Sequence, residues 1–217
     1  MRTFYPLMLD ISGRQCLVVG GGRVALRKVI SLLRAGASVT AVAPDFNPHF
    51  MPLQRRISLI RRPFEISDLT VAHALVIGAT DAPEVNKEVY ERALSLRVPC
   101  NVVDCPELCS FIVPAVVRRG DVTIAVSTSG RCPRLSKYVK SRVATTVGPE
   151  FAKLASLLAG VRDRVKSELN GPADRAAFWE SLFETDPLVY CREHGWPALR
   201  ERIDHLIDHH RRAAGIP

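Results

Sequence analysis

The chain has 217 residues, 47% of them apolar, with 30 Lys and Arg against 22 Asp and Glu, a formal charge of +8 and a pI near 9.5. That length supports one large domain plus a smaller one, and the charge favours an anionic partner, with nucleic acid, a membrane surface and an acidic small molecule all open on composition. No run approaches the roughly 18 apolar residues of a membrane helix, and the start lacks the apolar block of a secretory signal, so a cytoplasmic protein with no membrane partner is expected.

Residues 15–45 read as strand, tight turn, helix and strand. An apolar run, Cys16–Val19, leads into Gly20–Gly22, after which Ala25, Val29, Leu32 and Leu33 recur at helical spacing until Gly36. A second run over 38–43 follows at once, so the two strands should be parallel neighbours in a βαβ unit. Further strands are expected at 57–62 (ISLIRR), 73–80 (HALVIGAT) and 100–103 (CNVV), with a helix opened by Pro83 between the last two. The alternation predicts an α/β fold, a Rossmann-type parallel sheet with helices on both faces over residues 1–112.

After Ser110 the pattern changes. Two β-rich runs joined by a turn at Arg119–Asp121 predict an antiparallel hairpin, and a helix opened by Pro133 completes a hairpin/helix module over 113–147. From 148 to 217 the chain reads as a small helical domain, with helices opened by Pro149, around 174–183, and in two pieces from Pro187 onward.

Gly20, Gly22 and Ala25 make a G-x-G-x-x-A pattern inside the βαβ unit. The first glycine turns the chain, the second lets a pyrophosphate reach the backbone, and the small third residue packs helix on strand. Gly20, Gly21, Gly22 and Arg23 are therefore expected to cradle a dinucleotide. Asp45, after Pro44 and twenty residues beyond Ala25, is placed to accept ribose hydroxyls and to favour NAD over NADP, with a plain surface loop as the other reading. The strand tips carry Thr80 (ATD) and Asn101–Asp104 (NVVD), and ligands of open α/β sheets bind beyond such tips. Asp104 is either a base beside the nicotinamide or the cap of a turn before Pro106.

Six cysteines, with no CxxC pair, read as core or pocket filler and not as a disulfide framework or metal site. His205 and His209 read as a solvated helix face. No basic stripe interleaved with aromatics appears, so nucleic acid is not expected.

The stretches YPLMLDISGRQCLVVGGGRVALRK, GAT, NVVD, SFIVPAVVRRGDVTIAVSTSGRCPRL and, more loosely, LAGVRDRVKSEL with FWESLF resemble, in order, the precorrin-2 dehydrogenase/sirohydrochlorin ferrochelatase family. This family comprises the front module of bacterial sirohaem synthase and its stand-alone relatives. The resemblance implies NAD-dependent oxidation of precorrin-2 to sirohydrochlorin, in many members followed by insertion of Fe(II) to give sirohaem. It implies Asp104 as general base, cofactor contacts at Gly22, Arg23, Val24, Pro44 and Asp45, and a homodimer formed through 113–147 with the helical tail closing over the tetrapyrrole.

A substrate with eight carboxylates suits Arg118, Arg119, Arg131, Arg134 and Lys137, with Arg131 the chosen ligand beside Asn101 and Thr128. Thr128 stands where some bifunctional members carry serine. The methyltransferase module of the fused enzymes does not follow here, so precorrin-2 is expected from a separate supplier. A non-catalytic NAD sensor or tetrapyrrole carrier on the same fold is the alternative.

Overall fold

In the computed structural model of the chain, residues 3–215 are described; the outermost residues of the first and last expected domains lie outside them. The contacts divide the chain into two compact units, one of residues 1–113 with 129–131, the other of residues 114–128 with 132 onward.

In the first unit, β1 (Gln15–Val19), β2 (Ser38–Ala43), β3 (Ser58–Arg61), β4 (Leu75–Gly78) and β5 (Cys100–Val102) form one parallel sheet in the order β3-β2-β1-β4-β5. β1, β2, β4 and β5 are largely buried on both sides, which is why they read as continuous apolar sequence, whereas Leu59 and Ile60 of edge strand β3 are half-buried between exposed Ser58 and Arg61. Cys16 and Val18 join Val39, Ala41, Leu75 and Ile77 beneath α1 (Arg23–Arg34), whose buried stripe is Ala25, Val29 and Leu32. Leu17 and Val19 face the other way and join Val42, Val76, Cys100 and Val102 beneath α2 (Pro83–Leu96). The expected helices on both faces are present.

The strand order turns back between β1 and β4, since β1 leads outward to β2 and β3 while β4 and β5 build on its other edge. A crevice opens where such a reversal occurs, beyond the carboxyl ends of the strands. The register pairs Val19 with Val42 and with Gly78, so these tips end level.

The connections on either side of β3 carry no α-helix, only 3-10 turns at Pro48–Leu53 and Ile66–Asp68. Pro48 and Pro52 deny the first of them backbone donors, and fully buried Phe50 pins it to the core. At the second, Arg62 forks onto Asp68 with Nη2–Oδ1 at 2.6 Å and Nη1–Oδ2 at 2.8 Å.

In the second unit, β6 (Ala115–Arg119) and β7 (Val122–Val126) pair antiparallel. Their turn needs Gly120, whose φ of 56° is left-handed and whose missing Cβ would meet Ala152 at 3.0 Å. Four helices follow: α3 (Pro133–Thr146), α4 (Glu150–Glu168), α5 (Pro172–Phe183) and α6 (Pro187–Ala213). Leu154, Val161, Val165, Phe178, Leu182, Leu199, Ile203 and Ile207 are the core of α4–α6. α6 breaks at Gly195, φ 87°, two residues before Pro197, matching the two helical pieces read from the sequence.

Candidate functional site

The three glycines do different work. Gly20 leaves β1 at φ 130°, and a Cβ there would strike the Ala79 carbonyl; one on Gly21 would strike the Asp45 carbonyl. The glycine loop is thus wedged between the tips of β2 and β4, with Gly20 N–H donating to Val42 O at 2.9 Å and Asn47 N–H donating to Gly21 O at 2.8 Å. Gly22, the N-cap of α1, is the opposite case: nothing lies within 4 Å of where its Cβ would be.

That open space faces a helix end with no side-chain cap and no acidic residue in its first turn. The first N–H groups of α1 are therefore available, and the helix dipole adds partial positive charge. Arg23, the first residue of α1, is exposed there, with Val24 half-buried beside it. A dinucleotide pyrophosphate fits this cradle in both shape and charge. Pro44 and Asp45 are exposed one and two residues past β2, with the Asp45 carbonyl against Gly21 of the glycine loop.

Thr80 braces the tip of β4. Its hydroxyl donates at 3.0 Å to Ala82 O or to Asn86 Oδ1, and buried Asn86 returns a bond to Thr80 O at 2.9 Å. This fixes the turn that Gly20 packs against. Asn86 was missed in the sequence reading. Its signal was available, a polar residue on the same face of α2 as buried Val89 and Ala93.

At β5, Asp104 has φ 58°, in the left-handed region where Asp is better tolerated than most residues. It is exposed, and among the described residues its carboxylate makes no hydrogen bond or ion pair. It does not cap the turn before Pro106. The turn closes through the backbone instead, with Cys105 N–H on Val102 O at 3.3 Å. The glycine loop, Thr80 and Asp104 thus stand at the tips of three adjacent strands, β1, β4 and β5, and two strand spacings separate the outer pair by about 10 Å.

Asn101 is engaged within the fold. It is 7% exposed, and its amide donates to Phe111 O at 2.9 Å and to Cys109 Sγ at 3.4 Å, so its donor side holds the returning chain to β5. Arg119 is likewise spent on structure, with Nε on Val147 O at 2.9 Å and Nη2 on Ala144 O at 3.1 Å, closing the C-terminus of α3. Thr128 accepts from Cys132 N–H at 3.1 Å and lies 3.0 Å from Ser136 Oγ, bracing its own loop. Arg118, Arg131, Arg134 and Lys137 are exposed, and among the described residues none is in an ion pair.

None of the six cysteines is in a disulfide. Burial pushes the Cys100 thiol up to about 12, and a hydrogen bond to Glu107 raises that of Cys105. The Cys100 and Cys105 thiols are thus protonated at neutral pH and poor nucleophiles. Among the described residues no group of three or more His, Cys, Asp or Glu could hold a metal ion, and no helix is long and apolar enough to cross a membrane.

A family model described as putative NAD(P)-binding matches residues 7–115, half of the chain. A second, the sirohaem synthase dimerisation region, matches 150–207; it falls on α4–α6, after the stretch 113–147 to which the resemblance assigned the dimer contact. The chain is 44% identical over 187 residues to a sirohaem synthase of Nitrosospira multiformis, covering 84% of this chain and 40% of that one. It is 42% identical over 210 residues to one of Thioalkalivibrio sulfidiphilus, covering 94% and 42%. The chain therefore spans about two fifths of the length of these relatives. Among solved structures, SirC, a precorrin-2 dehydrogenase, aligns with a TM-score of 0.76 at 22% identity over 93% of this chain and all of that one, a likeness of fold.

Proposed function

Since the chain belongs to the precorrin-2 dehydrogenase/sirohydrochlorin ferrochelatase family, we propose that it oxidises precorrin-2 to sirohydrochlorin with NAD+. The observation that carries this reading is the open anion cradle at Gly22 two strands from an unpaired, exposed carboxylate at Asp104. A cofactor module alone would need only the first.

The reaction removes two hydrogens from the tetrapyrrole, one as hydride and one as proton. NAD+ supplies the hydride acceptor when bound. Asp104 takes the proton, for which its unpaired carboxylate is the suited group. Gly20 and Gly21 set the loop against the neighbouring tips, Gly22 and Val24 receive the pyrophosphate, Arg23 adds charge, and Asp45 accepts the ribose hydroxyls and repels a 2′-phosphate. Thr80 keeps the middle tip in place. Arg131 serves as ligand to a substrate carboxylate, its exposed guanidinium having no protein partner among the described residues; Thr128 orders the adjoining loop.

The names of the relatives also support insertion of Fe(II) into the product, with Asp104 removing the pyrrole protons. A second copy of the chain completes the assembly, for which the match over α4–α6 speaks. A cytoplasmic setting suits six cysteines outside any disulfide.

The test is anaerobic incubation with precorrin-2 and NAD+, following NADH and the tetrapyrrole spectrum, then addition of Fe(II). NADH with a sirohydrochlorin spectrum is the expected result, and protein-dependent acceleration of iron uptake extends it to chelation. Absence of NADH returns the chain to a sensor or carrier.

A further inference from the structure

Arg61 and Arg62 follow one another at the end of β3, and the fold uses them differently. Arg62 is spent on the fork to Asp68 and on Pro63 O at 2.9 Å. Arg61 is exposed and, among the described residues, in no ion pair. Its Nη2 donates to the Met51 thioether, a weak acceptor, at 3.8 Å. The guanidinium lies over the ring of Phe46, with Cζ 5.4 Å from the ring centroid.

This position is set by both neighbouring elements. Arg61 pairs in register with Ala43, the last residue of β2. Side chains alternate along a strand, so Arg61 stands on the same face as Leu59, which packs with the apolar cluster beneath α1. Phe46 packs on that cluster too, and fully buried Phe50 pins its ring edge-on with centroids 5.1 Å apart. Phe46 is also the middle of three residues that clasp the glycine loop. Before it, the Asp45 carbonyl lies against Gly21; after it, Asn47 N–H donates to Gly21 O at 2.8 Å. The guanidinium is thus held at the β2 side of the dinucleotide cradle, over the residue next to Asp45.

An arginine whose flat face rests on a ring keeps its N–H edge free for an anion. A dinucleotide carries its pyrophosphate and, in the NADP form alone, a 2′-phosphate. The pyrophosphate suits the open N-terminus of α1, where Arg23 already stands. The 2′-position belongs at the end of β2.

We propose that Arg61 is the 2′-phosphate ligand of this chain, so that cofactor choice is set by opposed charges, Asp45 excluding NADP+ and Arg61 attracting it. This rests on the dinucleotide reading of the glycine loop and is independent of the substrate oxidised. With Asp45 replaced, Arg61 supplies the phosphate contact and no new residue is needed.

Asp45→Ala, Arg61→Ala and the double variant test it in the full-length chain, by titration with NAD+ and NADP+ and by the thermal midpoint. Arg61→Ala should leave the NAD+ Kd within twofold. Asp45→Ala should lower the NADP+ Kd about tenfold or more, and adding Arg61→Ala should raise it again about tenfold, the usual loss for one charge-assisted contact. Arg61→Lys in the Asp45→Ala background should keep part of the affinity, since it retains the charge but not the planar fork. Saturating NADP+ should raise the Tm of Asp45→Ala more than that of the double variant. Arg61→Gln keeps a stem over Phe46 and reads the same contrast if the alanine variant melts early.

Equal weakening of both dinucleotides by Arg61→Ala overturns the proposal, because the contact would then be to a group they share. So does an NADP+ Kd in the Asp45→Ala background that removal of Arg61 leaves unchanged. If the wild-type chain binds neither dinucleotide, the glycine-loop reading falls and this proposal with it. If it binds NAD+ but forms no NADH from precorrin-2, the reaction assignment fails while an Arg61-dependent NADP+ Kd still upholds the phosphate contact.

Discussion

The amide of Asn101 donates to the carbonyl of Phe111 at 2.9 Å and so ties β5 to the far end of the loop that carries Asp104. The same junction is doubled one residue earlier, where Cys100 N–H donates to Ser110 Oγ and Ser110 N–H to Cys100 O, both at 2.8 Å. An exposed acid in a left-handed turn is thereby fixed at its base by part-buried bonds. Replacing Asn101 with Leu leaves the Phe111 carbonyl without its donor, at a cost of about 1–3 kcal/mol. Urea unfolding should show that loss, and turnover should fall while NAD titration stays within twofold. Full stability would mean that the Asn101 bond contributes nothing.

Asp104→Asn should abolish most dehydrogenation, by about 10²–10⁴-fold in kcat, and leave NAD affinity within a few-fold. Asparagine also tolerates the left-handed backbone, so the thermal midpoint should barely move and the loss can be read as chemistry. Loss of NAD binding in this variant would contradict the role given to the carboxylate.

Two adjacent glycines should answer in opposite ways. At Gly21 any Cβ is driven into the Asp45 carbonyl, whereas at Gly22 it enters open space. Gly21→Ala should therefore lower Tm and yield of folded protein. Gly22→Val should keep Tm and raise the NAD Kd more than tenfold by bulk at the cradle. Equal effects on Tm would show that the cradle is not where the structure puts it.

The sheet was legible because its strands are apolar on both faces and its helices are punctuated by Gly36, Pro83, Pro133 and Pro149. What the sequence did not disclose were features set by long-range packing. The 3-10 turns around Phe50 and Asp68 carry no periodicity, and the sheet order depends on which edge β4 joins. In the site, residue type pointed to the glycine loop and to Asp104, which the fold brings to nearby strand tips, and also to Asn101, which the fold buries. Its amide could as well face a ligand as a backbone carbonyl, and only the position of Phe111 decides.

Asp45→Ala should relax discrimination between the two nicotinamide cofactors. Asp45 is exposed beside the glycine loop, and in the proposed role its removal takes away both the ribose acceptor and the repulsion of a 2′-phosphate. The ratio of kcat/KM for NAD+ to that for NADP+ should fall about tenfold or more, the worth of one charge-assisted contact. An unchanged ratio would return Asp45 to a plain loop residue.

The fork between Arg62 and Asp68 gives the fold a pH signature unrelated to catalysis. The Arg62 hydrogen bonds hold the Asp68 carboxyl below its ordinary range, overcoming the opposing effect of burial, and the Glu65 N–H helps. A carboxyl whose folded pKa is depressed stabilises the fold above its unfolded value of about 3.9. That contribution is lost as pH falls through the folded value. Arg62 remains protonated in both states over this range and adds no slope. Asp68→Asn should thus melt at lower temperature than the parent at pH 7, and the gap should narrow once pH drops below about 4. A gap independent of pH would mean that packing of the 3-10 turn, and not the charge on Asp68, is what the substitution removes.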